Sequence, residues 1–256
     1  TFNQANYVIT KKSISLTADA KTKVYGEQDP VLTYTLSTAL MTGVSLQGGL
    51  TREAGNAPGS YEIRSNVSHP LYDITYIPAD LTITKKPITI TADSKTVVYG
   101  EDSEPLTYTL SENLVGTDNL VGQLVRETRE TVGTYPITST LAHPGYSITY
   151  VGANYEITKK PITITAEDKT IFYGDTDVEL TFTTEPAISS GDEFTGELSR
   201  ATGKEVGEYL ITSTLANPNY DITFRSGKYT IANRAITIKA DNIVKKYGQE
   251  EPELTY

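Results

Sequence analysis

Acidic side chains cluster at four points of the chain, each directly after a Tyr-Gly pair. The clusters are Glu27 and Asp29; Glu101, Asp102 and Glu104; Asp175, Asp177 and Glu179; and Gln249 with Glu250, Glu251 and Glu253. Several carboxylates in one short loop suit calcium, which binds through oxygen ligands. Their spacing changes from cluster to cluster, however, and none has the twelve-residue ligand pattern of an EF-hand. We therefore interpret the clusters as solvated turns that keep a sheet edge from pairing wrongly, and we predict no metal site.

Histidine, the commonest metal ligand and general base, occurs only twice in the chain. His69 and His143 stand at matching positions before a proline, and Asn217 takes the same place further along. A metal ligand would not be exchanged for asparagine so freely. The histidines are therefore interpreted as turn residues, whose conformation the following proline restricts.

Other chemistry finds little support in the sequence. The chain has no cysteine, which excludes disulfides and cysteine-ligated metals. It also has no nucleophile elbow, phosphate loop or dinucleotide fingerprint. We predict no catalytic or cofactor-binding residue and no cofactor, and we expect the chain not to be an enzyme.

Tyrosine is abundant, with 18 copies against five phenylalanines and no tryptophan. Tyrosines pair an apolar ring with a polar tip and can form platforms for sugars. Six of them fall on the apolar phase of predicted strands and are expected in the core: Tyr34, Tyr61, Tyr108, Tyr135, Tyr150 and Tyr155. The hydroxyl of Tyr135 is predicted to bond a nearby backbone group, as in a tyrosine corner.

An arginine recurs at one position of the sequence, as Arg52, Arg126 and Arg200. A repeated arginine suits recognition of an acidic ligand. Pairing with a neighbouring carboxylate of the same chain explains it as well, and this is the interpretation we favour.

The chain that carries these residues is a tandem array. The Tyr-Gly pairs begin at Tyr25, Tyr99, Tyr173 and Tyr247, each 74 residues after the last, and Lys-Lys pairs keep the same step. We predict full repeats at 11–84, 85–158 and 159–232. Residues 1–10 align with the end of a preceding repeat and 233–256 with the start of a following one, so the chain is expected to be a fragment of a longer array.

Within a repeat, short segments alternate apolar and polar residues, as half-buried strands do. We predict a mainly β domain of six or seven strands, which can include one short helical turn with Thr117 or Asp118 as its N-cap. An immunoglobulin-like sandwich and a β-grasp-like sheet are both compatible with the pattern.

The connection between repeats is short. Ile88 follows Ile83 by five positions, as Ile162 follows Ile157, and this odd step changes the inward face of the chain at each connection. The Lys-Lys-Pro sequence there differs from a flexible Gly/Ser linker. We predict small domains packed end to end as a stiff rod, monomeric, with neighbouring repeats of the same chain as partners.

The net charge of −10 opposes binding to nucleic acid and to anionic membrane surfaces. No apolar run approaches membrane-spanning length, so membrane insertion is not expected.

In each repeat a Tyr-Gly turn follows a strand such as Lys-Pro-Ile-Thr-Ile-Thr-Ala. Then come Leu-Thr-Tyr, Gly-x-Leu-x-Arg, Val-Gly-x-Tyr and Asn-Tyr-x-Ile-Thr segments, with Ala57-Pro58-Gly59 replacing Val-Gly in the first repeat. This order and period resemble the MBG domain of the YGX type, found in large bacterial surface adhesins and secreted giant proteins. The resemblance covers essentially the whole chain. It implies an extracellular location at a bacterial surface or in a secreted protein, and a structural or adhesive role.

The resemblance leaves two functional hypotheses. The repeats form a stalk that projects a binding domain from the surface, or each repeat binds host mucin, glycan or protein weakly and the array gains by avidity. A binder is expected to expose the same aromatic or apolar patch on each repeat, whereas a stalk needs only its core.

Overall fold

The computed structural model describes residues 5–256; residues 1–4, which begin the predicted remnant of a preceding repeat, lie outside this range. The described chain divides into two compact units. The first contains the residues up to Lys95 with Glu104–Thr128 and Thr134–Tyr155. The second contains Thr96–Ser103, Arg129–Gly133 and Glu156–Tyr256.

Seven strands make up the first repeat, and their bounds follow the alternating segments of the sequence. They are β1 Lys12–Ala18, β2 Lys21–Val24, β3 Tyr34–Leu36, β4 Leu50–Arg52, β5 Gly59–Ser65, β6 Tyr72–Ile77 and β7 Asp80–Thr84. A three-stranded sheet has the order β3-β1-β6, with β1 antiparallel to β3 and parallel to β6. A four-stranded sheet has the order β2-β7-β5-β4, with β2 parallel to β7.

The same seven strands recur in the other two repeats. The second has β8 Lys86–Ala92, β9 Lys95–Val98, β10 Tyr108–Leu110, β11 Leu124–Val125, β12 Gly133–Ser139, β13 Tyr146–Val151 and β14 Ala153–Thr158. The third has β15 Lys160–Ala166, β16 Lys169–Phe172, β17 Phe182–Glu185, β18 Leu198–Arg200, β19 Gly207–Ser213, β20 Tyr220–Arg225 and β21 Lys228–Ala232. The strand order of both sheets is that of the first repeat. The predicted mainly β fold is confirmed, and each repeat has seven strands, where the sequence predicts six or seven.

The two sheets of a repeat share one core. In the first repeat, Ala18 from the three-stranded sheet packs with Ile63 and Leu81 from the four-stranded sheet. In the third, Ala166 packs in the same way with Ile211 and Tyr229. Inward residues alternate with outward ones along each strand, as the pleat requires. Each repeat is therefore a sandwich of two sheets.

The described residues contain no helix, so the short helical turn near Thr117 or Asp118 is not formed. A turn stands in its place, in which the Asp118 N–H donates to the Val115 carbonyl at 3.0 Å. Neighbouring Gly116 has φ +55°, a conformation that interrupts a helix. The Asp118 side chain accepts hydrogen bonds from tyrosine hydroxyls instead of capping a helix.

Consecutive repeats are connected by a single residue between strands. Only Lys85 separates β7 from β8, and Lys159 takes the same place between β14 and β15. Ile83 and Ile88 are both buried, although they lie in different sandwiches. The five-residue step therefore moves the chain from one core into the next, as the parity of the sequence predicts.

Tyrosine burial follows the prediction only in part. Tyr135 and Tyr155 are buried, and Tyr61 and Tyr150 are half-buried. The prediction for Tyr34 and Tyr108 is wrong, because both side chains are exposed. They begin β3 and β10, which are edge strands, so one side of each ring lacks a covering strand. The sequence does not predict a further set of buried tyrosines, each at the start of the sixth strand of its repeat: Tyr72, Tyr146 and Tyr220.

Residues 233–256 contain no strand. They nevertheless keep local contacts of the full repeats, and in one of them the Asp241 N–H donates to the Thr255 carbonyl at 3.0 Å and the Thr255 hydroxyl donates to the Asp241 carboxylate at 2.8 Å. Asp19 and Thr33 make the same pair of bonds in the first repeat. This local contact therefore forms without the rest of a sandwich.

A buried lysine distinguishes the first repeat. Lys23 lies in β2, where the other repeats have the buried apolar residues Val97 and Ile171. Its ammonium donates to the Asp29 carboxylate at 2.7 Å and to the Glu27 carbonyl at 2.9 Å. Burying a charge has a desolvation cost that such contacts offset only in part.

We expect Lys23→Val to leave the free energy of unfolding unchanged or to raise it, by up to about 1–4 kcal/mol. Asp29 is not left as an unpaired buried charge, because Arg52 also binds it. Urea denaturation of the full chain measures the change, with Lys23→Ala, which leaves a cavity, as the control. A loss of stability beyond the error of measurement in the valine variant would show that the ion pair is a net stabiliser.

Candidate functional site: the junction between repeats

Each Tyr-Gly pair forms the centre of a tight turn, which in the three full repeats follows the second strand. In the first repeat the Glu27 N–H donates to the Val24 carbonyl at 3.1 Å, which closes a four-residue turn. Gly26 has φ +89°, and among residues 5–256 only glycines have a positive φ. A positive φ at the third position alone defines a type II turn, which requires glycine there and places Tyr25 at the corner. The sequence pair is thus explained by backbone geometry.

The side chain after the glycine completes the turn in all four copies. It accepts a hydrogen bond from the N–H of the first turn residue: Glu27 from Val24 at 2.8 Å, Glu101 from Val98 at 3.2 Å, Asp175 from Phe172 at 3.0 Å and Gln249 from Lys246 at 3.3 Å. Glutamine makes this bond as glutamate does, so the position needs an acceptor and not a charge.

A second acidic residue of the loop is held by the recurrent arginine. Arg52 binds the Asp29 carboxylate with two bonds, Nε to Oδ2 at 2.6 Å and Nη2 to Oδ1 at 3.1 Å. Arg200 binds Asp177 in the same two-bond manner. The predicted pairing of arginine with a neighbouring carboxylate is confirmed in these repeats. In the second repeat Ser103 stands at this position.

The same arginines lie over aromatic rings of the sandwich. The guanidinium carbon is 5.3 Å from the ring centre of Tyr61 for Arg52 and 4.7 Å from that of Tyr229 for Arg200. Arg126 of the second repeat lies 4.1 Å from the ring centre of Tyr155. Such cation–π contacts add to the ion pairs and fix the guanidinium plane. The loop that follows the Tyr-Gly turn is therefore tied to the core of its own repeat in the first and third repeats.

The ion pair of Asp29 gives the first repeat a pH dependence. Hydrogen bonds from Arg52 and then Lys23 lower the pKa of the Asp29 carboxyl from 3.8 to about 2. A lowered folded-state pKa stabilises the protein above the unfolded value of 3.8, and this stabilisation is lost as pH falls toward 2. Because the side chain is 41% exposed, solvent screens much of this contribution.

We expect Asp29→Asn to lower the free energy of unfolding at neutral pH and to have little effect near pH 2, where the folded-state pKa lies. Denaturation series of both proteins from that pH to neutrality measure the difference, with exposed Asp102→Asn as the control. A difference between Asp29→Asn and the parent that stays constant across this range would contradict the assigned pairing.

The Tyr-Gly turn of the first repeat docks on the second repeat, within the first compact unit. The Tyr25 hydroxyl donates to Asp118 Oδ2 at 3.0 Å, and the Tyr146 hydroxyl donates to the same oxygen at 2.8 Å. The rings of Tyr25 and Tyr146 meet edge to face, with centroids 5.6 Å apart. Tyr146 in turn accepts from the Val115 N–H at 2.6 Å. One carboxylate therefore holds tyrosines from two repeats.

Close packing surrounds this contact. A Cβ added to Gly26 would lie 2.4 Å from Val115 Cγ2, and one added to Gly145 would lie 2.5 Å from Tyr25 Cε1. Both distances are too short for real Cβ contacts. The turn of the first repeat and the face of the second are therefore in direct van der Waals contact on both sides of Tyr25.

An equivalent contact occurs within the second compact unit. The Tyr99 hydroxyl donates to Asp192 at 2.9 Å, and the Tyr220 hydroxyl donates to the same carboxylate at 2.6 Å. The rings of Tyr99 and Tyr220 also meet edge to face at 5.6 Å. An added bond joins the Val132 N–H to Asn219 Oδ1 at 3.1 Å. The two junctions thus use the same tyrosine and aspartate positions, 74 residues apart.

Burial accompanies this docking. The pKa of Tyr25 is raised above its usual value of 10.0, first by desolvation and then by the hydrogen bond to Asp118. The pKa of Tyr99 is raised for the same two reasons, with Asp192 as the carboxylate. Both tyrosines therefore stay neutral donors across the physiological pH range.

His143 and Asn217 have the same structural task beside these contacts. His143 Nδ1 accepts from the Gly145 N–H at 3.0 Å, and Asn217 Oδ1 accepts from the Asn219 N–H at 2.9 Å. Each bond spans two residues across a proline and shapes the turn that precedes the receiving tyrosine, Tyr146 or Tyr220. This common role explains the exchange of histidine for asparagine.

A cavity lies beside the turn in every repeat. In the third it measures about 520 Å³ and is lined by Ile171, Tyr173 and Asp177, among others. In the first it measures about 270 Å³, and Val115 of the second repeat forms part of its wall. In the second repeat Ser189 of the following repeat lines the corresponding cavity, so a residue of the next repeat lies beside the turn at both junctions.

The docking partners of the Tyr-Gly pairs are not predicted from the sequence. Asp118 and Asp192 are 74 residues apart, as are Tyr146 and Tyr220, and this period is the signal that could have identified them.

Among residues 5–256, no group of three or more histidine, aspartate or glutamate side chains is arranged to hold a metal ion.

The chain contains three copies of a known domain. The family model of the MBG domain (YGX type) matches it three times, over residues 14–82, 88–156 and 162–230. These matches cover most of the 256 residues, so the chain belongs to the MBG domain family of the YGX type. It is a tandem array of three such domains, as the resemblance indicates.

No curated protein sequence matches the chain. Among solved structures, a crystal structure of Drosophila N-cadherin EC1-4 is 8% identical; the match covers 89% of this chain and 76% of that one, with a TM-score of 0.28. A structure of Sidekick-1 immunoglobulin domains 1–4 is 10% identical, with coverage of 83% and 71% and a TM-score of 0.18. Likenesses at these TM-scores assign neither fold nor function.

In the described part of the chain, no helix has the length and apolar character needed to cross a membrane.

Proposed function

We propose that these repeats are an extracellular spacer of a bacterial cell-surface or secreted adhesin, without enzymatic activity, that projects a binding domain from the surface. The observation that carries the proposal is the repeated docking of a Tyr-Gly turn on the next repeat, through Asp118 and through Asp192. A spacer needs successive domains to hold one another, and the Tyr-Gly pairs of the first and second repeats make this contact through Tyr25 and Tyr99.

The internal design of each repeat supports the same function. The recurrent polar groups serve the repeat itself: the acidic loop closes its own turn, and Arg52 and Arg200 bind its second carboxylate. A chain whose repeated residues form turns, cores and junctions has the features of a structural element. Net negative charge also favours solubility outside a cell.

The test separates projection from adhesion. The repeats are placed between a cell-wall anchor and a binding domain of known ligand. Capture of ligand by this protein is compared with capture by one that has a disordered linker of equal length, and by a direct fusion of the anchor to the binding domain. We expect capture of large ligand-coated particles to fall in the direct fusion, while the purified repeats alone bind neither mucin nor glycan. Binding by the purified repeats would contradict the spacer function.

A second candidate function, multivalent binding of host mucin, glycan or protein, is favoured by one observation. The aromatic residue that begins the third strand is exposed to nearly the same extent in every repeat: 37% for Tyr34, 38% for Tyr108 and 37% for Phe182. This is the recurrent aromatic surface that a binder is expected to present. Its test is a triple alanine variant at these positions, which loses adhesion without losing stability if the rings contact a ligand.

A further inference from the structure

The face that receives a Tyr-Gly turn differs between the first repeat and the others. Val44 stands where the second and third repeats have Asp118 and Asp192. The Tyr72 hydroxyl accepts from the Met41 N–H at 3.0 Å, as Tyr146 does from Val115, but valine offers it no carboxylate. The first repeat therefore has the tyrosine of the receiving face without its acidic partner.

A second substitution changes the shape of the same face. Leu71 occupies the position of Gly145, where the docked Tyr25 leaves no room for a Cβ, and of Asn219 in the third repeat, whose Oδ1 accepts a bond from the docked second repeat. Leu71 is 56% exposed and Met41 is 64% exposed. At this point the first repeat has two apolar side chains, Val44 and Leu71. The second repeat has a carboxylate, Asp118, and a glycine without a side chain, Gly145.

We propose that the residue at the position of Asp118 and Asp192 determines which repeat can receive a Tyr-Gly turn. An aspartate there accepts the tyrosine hydroxyl of another MBG repeat, whereas Val44 gives the first repeat no acceptor for that hydroxyl. The receiving face then determines whether the turn of the preceding repeat docks or stays free. This inference rests on the proposed function and deepens it, since it names the partner chemistry of the same junction.

The tyrosine hydroxyl supplies the energetic basis of this selection. When Tyr25 docks, its hydroxyl leaves water, and an unpaired buried hydroxyl is costly, whereas a bond to a charged carboxylate is stronger than an ordinary one. Opposite valine the hydroxyl would be buried without a partner. A face with aspartate therefore binds the tyrosine hydroxyl, whereas a face with valine is disfavoured because the hydroxyl loses its hydrogen bonds to water there.

The test measures docking directly in the full chain. Because the chain has no cysteine, Thr35→Cys and Thr109→Cys place two spin labels on exposed strand positions of the first and second repeats. Pulsed electron spin resonance gives the distribution of distances between them.

Two junction variants and one control are compared in this labelled chain. Asp118→Val with Gly145→Leu gives the second repeat the receiving face of the first, and Tyr25→Phe removes only the hydroxyl on the other side. Asp73→Val, an exposed carboxylate elsewhere, is the control.

We expect one narrow distance distribution in the parent and in the control, and its loss to a broad distribution in both junction variants. Retention of the narrow distribution in the double variant or in Tyr25→Phe would overturn the inference. Tyr25→Phe leaves the second repeat intact, so a folding defect in the double variant does not decide the result. Adhesion by the purified repeats would contradict the spacer function and leave this docking result unaffected.

Discussion

Tyr135→Ala is expected to destabilise the second repeat by about 3–5 kcal/mol, the usual cost of truncating a buried aromatic side chain. The ring is buried in β12, and the Arg126 guanidinium lies 6.0 Å from its centre. Truncation removes both the packing and this cation–π contact. Urea denaturation monitored by tyrosine fluorescence measures the change in the free energy of unfolding.

Two matched variants refine this expectation. Tyr61 and Tyr209 occupy the same position in the other repeats but are only half-buried, so alanine there is expected to cost less. Their hydroxyls donate to the Ala57 and Glu205 carbonyls at 2.7 and 2.8 Å, the kind of backbone bond that a tyrosine corner makes. If all three variants unfold like the parent but lose adhesion to mucin or glycan, these rings contact a ligand and the core assignment fails.

Gly26→Ala is expected to have the second large effect, because it disturbs the turn and the junction together. A non-glycine residue at φ +89° costs about 1–2 kcal/mol. Its Cβ would also lie 2.4 Å from Val115 Cγ2, and overpacking of this kind costs about a further 1–3 kcal/mol. Urea denaturation of the full chain measures the combined loss.

Gly174→Ala is the matched control for that experiment. Gly174 has φ +85° in the same turn of the third repeat, but an added Cβ there meets nothing within 4 Å. We expect Gly174→Ala to show the backbone cost alone. The excess cost of Gly26→Ala over Gly174→Ala then measures contact between repeats, and equal costs for the two variants would contradict docking of the first turn on the second repeat.

The sequence predicts most of the fold because the fold is periodic in two ways. Alternation along a strand identifies β1 and its equivalents, and the 74-residue step repeats every strand assignment three times. Tyr34 and Tyr108 show the limit of the first signal. Alternation identifies the inward phase of a strand, but exposure at an edge depends on which strand lies beside it, and that is a property of sheet order.

The junction is less accessible to prediction for a related reason. Tyr25 and Asp118 are 93 residues apart in sequence, and nothing local to either residue indicates the other. The local sequence around Asp118 favours a helix cap, since aspartate is a usual N-cap residue. Only the assembled sandwiches show that this carboxylate receives hydroxyls from two repeats.

The most direct test of docking is a nuclear Overhauser measurement on the full chain with labelled tyrosine and glycine. Gly145 packs against the Tyr25 ring so closely that an added Cβ would lie 2.5 Å from Cε1, so the glycine α-protons must lie close to the ring protons. We predict strong cross-peaks between the Tyr25 ring and Gly145, together with cross-peaks to the Tyr146 ring. Absence of these cross-peaks in the folded chain, with the contacts inside each sandwich still present, would show that the repeats do not dock through the Tyr-Gly turn.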